Sequence, residues 1–125
     1  MNMLRVINLA VKEAKKSQHK QKMGCVIFRK KNIISIGYNA PLKSAKNLHP
    51  QYTRWPNSIH AEVDAILKAK ANLVGSEMIV IRINNQDQFR MAKPCIYCMK
   101  YITHVGIRKI HYSLNEKNLL QTLVV

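Results

Sequence analysis

Leu4, Ile7, Val11 and Ala14 return every three or four positions with lysines between them, and this period predicts an amphipathic first helix over residues 2 to 17. Two short runs rich in Val, Ile and aromatics follow, at residues 23 to 29 and 33 to 38. Only Lys30-Lys31-Asn32 separates them, which is short enough for an antiparallel hairpin. From residue 39 to residue 57 the chain carries Pro41, Asn47, Pro50 and Pro56 with little periodicity, so a long loop is predicted there. Loops of that length inside a compact domain are often functional. A second helix is expected from near Ser58 to about Asn72, with Ile59, Val63, Ile66 and Leu67 on its apolar side and Asn57 or Ser58 as its cap.

Met78-Ile79-Val80-Ile81-Arg82-Ile83 reads as a third strand, and a polar loop over residues 84 to 93 leads to Pro94, which opens a third helix reaching about Val105. Gly106 ends it. Residues 108 to 113 form a fourth strand, and Asn115-Glu116-Lys117-Asn118 divides them from the apolar run Leu119 to Val125. So short a connection favours an antiparallel fifth strand, although Leu119, Leu120 and Leu123 also suit a short final helix. The resulting order is helix, strand, strand, helix, strand, helix, strand, strand. It implies a mixed sheet with helices packed on its faces, and a single domain over residues 1 to 125.

Composition adds compartment and partners to this picture. The three cysteines are an odd number for a disulfide framework, and two of them stand three apart in Pro94-Cys95-Ile96-Tyr97-Cys98, which fits a reducing, cytoplasmic setting and a metal better than bridges. Cys25, inside the apolar run Met23 to Phe28, reads as a small buried hydrophobe. No run approaches the roughly 20 apolar residues of a membrane helix, so no membrane partner is expected. The net charge is +15, from 21 Lys and Arg against 6 Asp and Glu, which favours anionic partners such as nucleotides or nucleic acid. The basic residues gather at Lys12, Lys15, Lys16, Lys20 and Lys22 and again at Arg29, Lys30 and Lys31, without the interleaved aromatics of a base-stacking platform. A solvated basic face is the default reading of those positions.

Candidate chemistry lies at the starts of the second and third predicted helices. Zinc takes Cys sulfur and His nitrogen in a tetrahedral shell, with four protein ligands in structural sites and three in catalytic ones. Cys95 and Cys98 can reach one ion, the helix start favours their negative charge, and His60 supplies a third ligand. Glu62 lies two residues past His60, a spacing at which helical side chains diverge. A carboxylate beside the metal, not on it, can take the proton of a zinc-activated water and pass it on.

His60-Ala61-Glu62 followed by Pro94-Cys95-Ile96-Tyr97-Cys98 resembles the signature of the cytidine and deoxycytidylate deaminase superfamily, a general pattern of zinc deaminases. The resemblance runs over essentially the whole chain and implies a three-layer α/β/α fold, with a mixed five-stranded sheet and a C-terminal β-hairpin. It assigns His60, Cys95 and Cys98 to Zn2+ and Glu62 to proton shuttling. The implied reaction is hydrolytic loss of the C4 amine of a cytosine-type nucleoside or nucleotide. Gly37-Tyr38-Asn39 resembles a segment in which relatives hold the sugar through an asparagine, and Ala61 matches the position whose backbone meets the pyrimidine edge. Asn39 equally suits a residue that only shapes a turn. Small deaminases of this kind usually assemble, so a homo-oligomer is expected.

Two other readings belong beside this one. A Cys-x-x-Cys can be redox-active or part of a structural zinc knot, but neither accounts for His60-Ala61-Glu62. His19, His49, His104 and His111 read as surface or satisfied histidines, and a ligand from among them or from Cys25 would make the centre structural. A basic zinc module binding nucleic acid without turnover is the non-enzymatic alternative. Within the enzyme class, a histidine ligand resembles deoxycytidylate and nucleic-acid deaminases, whereas the short tail at residues 108 to 125 resembles free cytidine deaminases. Lys93 replaces the glutamate typical of tRNA adenosine deaminases, and adenine is not expected. In the long loop, Arg54 and Trp55 can supply a phosphate contact and a stacking wall, with His49, Tyr52, Lys43 and Lys46 nearby, though a single tryptophan more often covers a core. A cytosine nucleoside or nucleotide therefore ranks first and single-stranded nucleic acid second.

Overall fold

The computed structural model describes residues 3–18, 21–30, 32–41, 58–116 and 119–125. In chain order these form α1 (Met3–Lys15), β1 (Lys22–Arg29), β2 (Asn32–Tyr38), β3 (Ala40–Pro41), β4 (Ser58–Ile59), α2 (Ala61–Lys68), β5 (Glu77–Ile83), β6 (Phe89–Arg90), α3 (Ile96–His104), β7 (Lys109–Ser113) and β8 (Leu120–Val124). The main sheet runs β2-β1-β5-β7-β8, with β6 added to β5. Among the described strands only β5 and β7 pair in parallel, and α3 makes the crossover between them, as a parallel pair requires. The last run is a strand and not a helix: β8 pairs antiparallel with β7 from Lys109↔Val124 to Ser113↔Leu120.

Alternation along the strands sorts the apolar side chains onto two faces. Val26, Phe28, Ile79, Ile81, Ile83 and Phe89 pack with Val6, Ala10 and Ala14 of α1. Cys25, Ile27, Met78, Val80 and Ile110 pack on the other side with α2 and α3, through Val63, Ile66, Cys98 and Ile102. The result is the expected three layers. Two glycines let the helices lie directly on the sheet: a Cβ on Gly24 would stand 2.0 Å from the Ala10 carbonyl oxygen, and one on Gly37 would stand 2.5 Å from the Ala65 nitrogen. Among the described residues no helix is long and apolar enough to cross a membrane.

Three boundaries differ from the sequence expectation. The second helix begins at Ala61, because Ser58–Ile59 pair with Ala40–Pro41, and its cap is His60 and not Ser58. Asn57 lies outside the described residues. That helix stops at Lys68, well short of Asn72, as Ala69 turns into extended backbone. The third helix begins at Ile96, with Cys95 as its cap, two residues after Pro94. The polar loop after β5 also contributes a sixth strand to the sheet, β6. The Ser113 hydroxyl holds it there, donating to the Arg90 carbonyl at 2.6 Å and accepting from the Arg82 N–H at 3.0 Å.

Candidate metal centre

Both helix starts are anchored by backbone groups before any metal is considered. His60 sits in extended backbone, with φ −77° and ψ 152°, and its carbonyl accepts from the Asp64 N–H at 2.9 Å. Asp64 in turn accepts from the Tyr38 N–H at 3.1 Å and pairs with Lys68 at 3.0 Å, which ties the first turn of α2 to the end of β2. Cys95 is likewise extended, with its carbonyl accepting from the Met99 N–H at 2.8 Å. Neither residue makes the side-chain capping hydrogen bond of its helix.

Those side chains converge. One donor atom from each of His60, Cys95 and Cys98 lies within 4.8 Å of the others, and the Cys98 Sγ to His60 Nδ1 distance is 3.4 Å. Donors on one tetrahedral ion, with bonds of about 2.0–2.3 Å, stand roughly 3.3–3.8 Å apart, so a single zinc ion fits this set with little adjustment. Among the described residues no fourth His, Cys, Asp or Glu joins the group. Cys25 is fully buried in β1, where burial raises its thiol pKa well above the ordinary value. His111 is satisfied by Glu77 at 2.9 Å and Thr122 at 2.8 Å, and His104 is exposed near the end of α3. His19 and His49 lie outside the described residues.

Glu62 is 1% exposed, and its Oε1 is buried without a hydrogen-bond partner. Burial is the main reason its pKa is pushed up to about 7, with the neighbouring Cys95 charge adding to the rise. Cys95 moves the other way, to about 5, chiefly through its hydrogen bond with Cys98. The same bond, together with burial, holds the Cys98 thiol far above its ordinary value. An unpaired buried carboxyl oxygen beside a cysteine-histidine donor set is costly in a merely structural site. It suits a site that receives a ligand.

The substrate candidates divide. Ala61 is buried at the first position of α2, and Asn39 is buried at the end of β2. The Asn39 side chain is already engaged: Oδ1 accepts from the Met23 N–H at 2.9 Å and Nδ2 donates to the Gln21 carbonyl at 2.5 Å, leaving one N–H and one lone pair. Arg54 and Trp55, with Lys43, Lys46, His49 and Tyr52, lie outside the described residues. Sequence reasoning missed Asp64 as the anchor of α2, for which its placement one turn before Lys68 was the available signal. It also missed Arg82 and Arg90, which the strand register brings onto the site's face of the sheet.

Layers of this topology, with a two-sulfur, one-nitrogen donor set at paired helix starts and a buried carboxyl group beside it, define a zinc-binding α/β protein. Residues 2–114 match the family model described as the cytidine and deoxycytidylate deaminase zinc-binding region, and the chain belongs to that family. Its cofactor is zinc. Deoxycytidylate deaminase of Schizosaccharomyces pombe is 29% identical over 106 residues, covering 74% of this chain and 30% of that protein. The Saccharomyces cerevisiae deoxycytidylate deaminase is 27% identical over 110 residues, covering 75% of this chain and 31% of that protein. The chain thus spans about a third of the length of these two relatives. Among solved structures, cytidine deaminase from Burkholderia pseudomallei has a TM-score of 0.70 at 15% identity, over 99% of this chain and 93% of that one. The dCMP deaminase of cyanophage S-TIM5, solved in complex with dCMP and dUMP, has a TM-score of 0.64 at 20% identity, over 90% of this chain and 82% of that one.

Proposed function

We propose that this chain is a hydrolytic deaminase that replaces the C4 amine of a cytosine-type nucleoside or nucleotide with a carbonyl oxygen and releases ammonia. The observation that carries this reading is the buried, unpartnered Oε1 of Glu62 beside the converging donors of His60, Cys95 and Cys98. Zinc, when bound, supplies the Lewis acidity that makes water a competent nucleophile near neutral pH. His60, Cys95 and Cys98 hold it. Glu62, whose carboxyl group titrates near neutrality, takes the proton of the attacking water and delivers protons to the departing amine. The Ala61 backbone meets the pyrimidine edge, and the remaining N–H of Asn39 faces the sugar. Arg54 and Trp55, outside the described residues, are candidates to add a phosphate contact and a stacking wall.

Water adds its oxygen at C4, the C–N bond breaks, and the two protons of water end on ammonia and on the product ring or solvent. The names of the relatives, deoxycytidylate and cytidine deaminases, support a pyrimidine substrate of this size. We read the chain as one domain acting in the cytoplasm as a homo-oligomer. The test is a panel of cytosine, cytidine, deoxycytidine, their monophosphates and a cytosine-containing oligonucleotide, followed for ammonia release at two salt concentrations. Release from the small substrates supports the reading. Salt-sensitive release from the oligonucleotide alone would replace it with a nucleic-acid deaminase.

A further inference from the structure

In the β5–β6 pair, two arginines stand side by side. Arg82 and Arg90 are Cα partners in an antiparallel register, so their side chains leave the sheet on the same face. Their neighbours show which face this is. Ile83 and Phe89, also partners, point into the α1 core, and Arg82 and Arg90 therefore point toward the α2 and α3 side. Across β1, the partner of Arg82 is Met23, which packs against the core beneath those two helices.

Like charges directly opposite one another weaken a strand pair unless something negative joins them. Among the described residues, no ion pair reaches either guanidinium. Arg90 donates to the Phe89 carbonyl at 3.1 Å and to Gln88 Oε1 at 3.2 Å, both neutral acceptors. Arg82 is partly buried, and its Nε is enclosed without a partner. Such a donor is left unmade at a cost that an anionic ligand would remove.

The pair also lies at the end of the sheet that holds Asn39: Met23, the Cα partner of Arg82, donates its N–H to Asn39 Oδ1 at 2.9 Å. The first turn of α2 rests over Gly37, whose Cα partner is Cys25, whose partner across the next strand is Val80. Arg82 is the next residue on that face of β5, roughly 7 Å further along the strand. It lies toward the end from which the chain departs for Pro94 and Cys95.

We infer that Arg82, with Arg90 beside it, holds the phosphate of the substrate, so that the chain acts on a cytosine nucleotide in preference to the free nucleoside. The inference rests on the deaminase reading for its reacting base, but the phosphate contact has its own readout. A planar guanidinium presents paired donors matched to phosphate oxygens, and two of them can bracket one group.

The test uses the zinc-loaded full chain with Arg82→Gln, Arg82→Lys and Arg90→Gln, each matched to the parent in zinc content and melting temperature. Binding of dUMP and of deoxyuridine is measured by calorimetry, and kcat and KM are measured on dCMP and deoxycytidine. Arg82→Gln is expected to weaken dUMP binding and raise KM for dCMP at least tenfold, while deoxyuridine binding and deoxycytidine turnover change less than twofold. Arg90→Gln should act in the same direction, and carries the test if the Arg82 variants fail to fold. Arg82→Lys should fall between the parent and Arg82→Gln. Equal losses on phosphorylated and unphosphorylated ligands, or unchanged dUMP binding in both glutamine variants, overturn the inference. Arginine-dependent dUMP binding with no turnover of any cytosine compound would instead refute the deaminase reading and leave the phosphate site standing.

Discussion

Between Cys95 and Cys98 one proton decides how the centre meets its metal. The hydrogen bond that lowers Cys95 to about 5 raises Cys98, so near neutral pH the metal-free pair is one thiolate and one thiol. Zinc held by both sulfurs must expel the Cys98 proton, and affinity therefore rises with pH, by about tenfold per unit for one proton released. Competition against a chelator between pH 6 and 8 measures this slope, and a flat profile would contradict ligation by Cys98. Cys95→Ser should strip the protein of metal, which elemental analysis reads directly, and undiminished zinc would refute that ligand. These residues were legible in the sequence because metal donors cluster locally, at i and i+3 or just before a helix. The Arg82–Arg90 pairing was not, because it depends on a strand register that the Ser113 hydroxyl sets from 31 residues away.

At the scale of elements, the site depends on how closely α2 approaches the sheet. Gly37 makes that approach possible, since a Cβ there would also stand 2.9 Å from the Ala61 carbonyl oxygen. Gly37→Ala should force α2 outward, costing about 1–3 kcal/mol as overpacked cores do. Because His60 and Glu62 ride on the start of that helix, zinc affinity should fall along with the unfolding midpoint. Denaturant melts and zinc titration check both, and a destabilised variant with unaltered zinc affinity would show that the centre does not depend on this contact. Helical periodicity, Pro94 and short Val- and Ile-rich runs predicted the three helices and the five main strands; β1 and β5 read as continuous apolar runs because they are buried on both faces. The shortened start of α2 escaped prediction, since Ser58–Ile59 are claimed by a pairing with Ala40–Pro41 that no local pattern encodes.

Over the whole molecule, the sheet separates two surfaces with different chemistry. Lys12, Lys15 and Lys16 belong to the α1 side, whereas His60, Glu62, Cys95 and Cys98 lie on the side of α2 and α3. General attraction of polyanions to a chain of net charge +15 is thus physically distinct from what the metal centre does. Replacing Lys12 and Lys15 with glutamine should weaken salt-dependent binding to an oligonucleotide while leaving kcat on a small substrate within about twofold. An equal loss of both would place the basic face in the catalytic path. The antiparallel pairing of β1 with β5 sets β5, and the α3 that follows it, beside the strands on which α2 lies, and so brings together two helix starts far apart in the chain. The most direct test of the deaminase account compares the parent with Glu62→Gln at equal zinc content, measuring ammonia released from dCMP and from deoxycytidine. The account predicts turnover by the parent and a loss of about 10²–10⁴-fold in the variant, with metal and fold retained. A variant as active as the parent, or a zinc-filled parent that releases no ammonia from either compound, would contradict it.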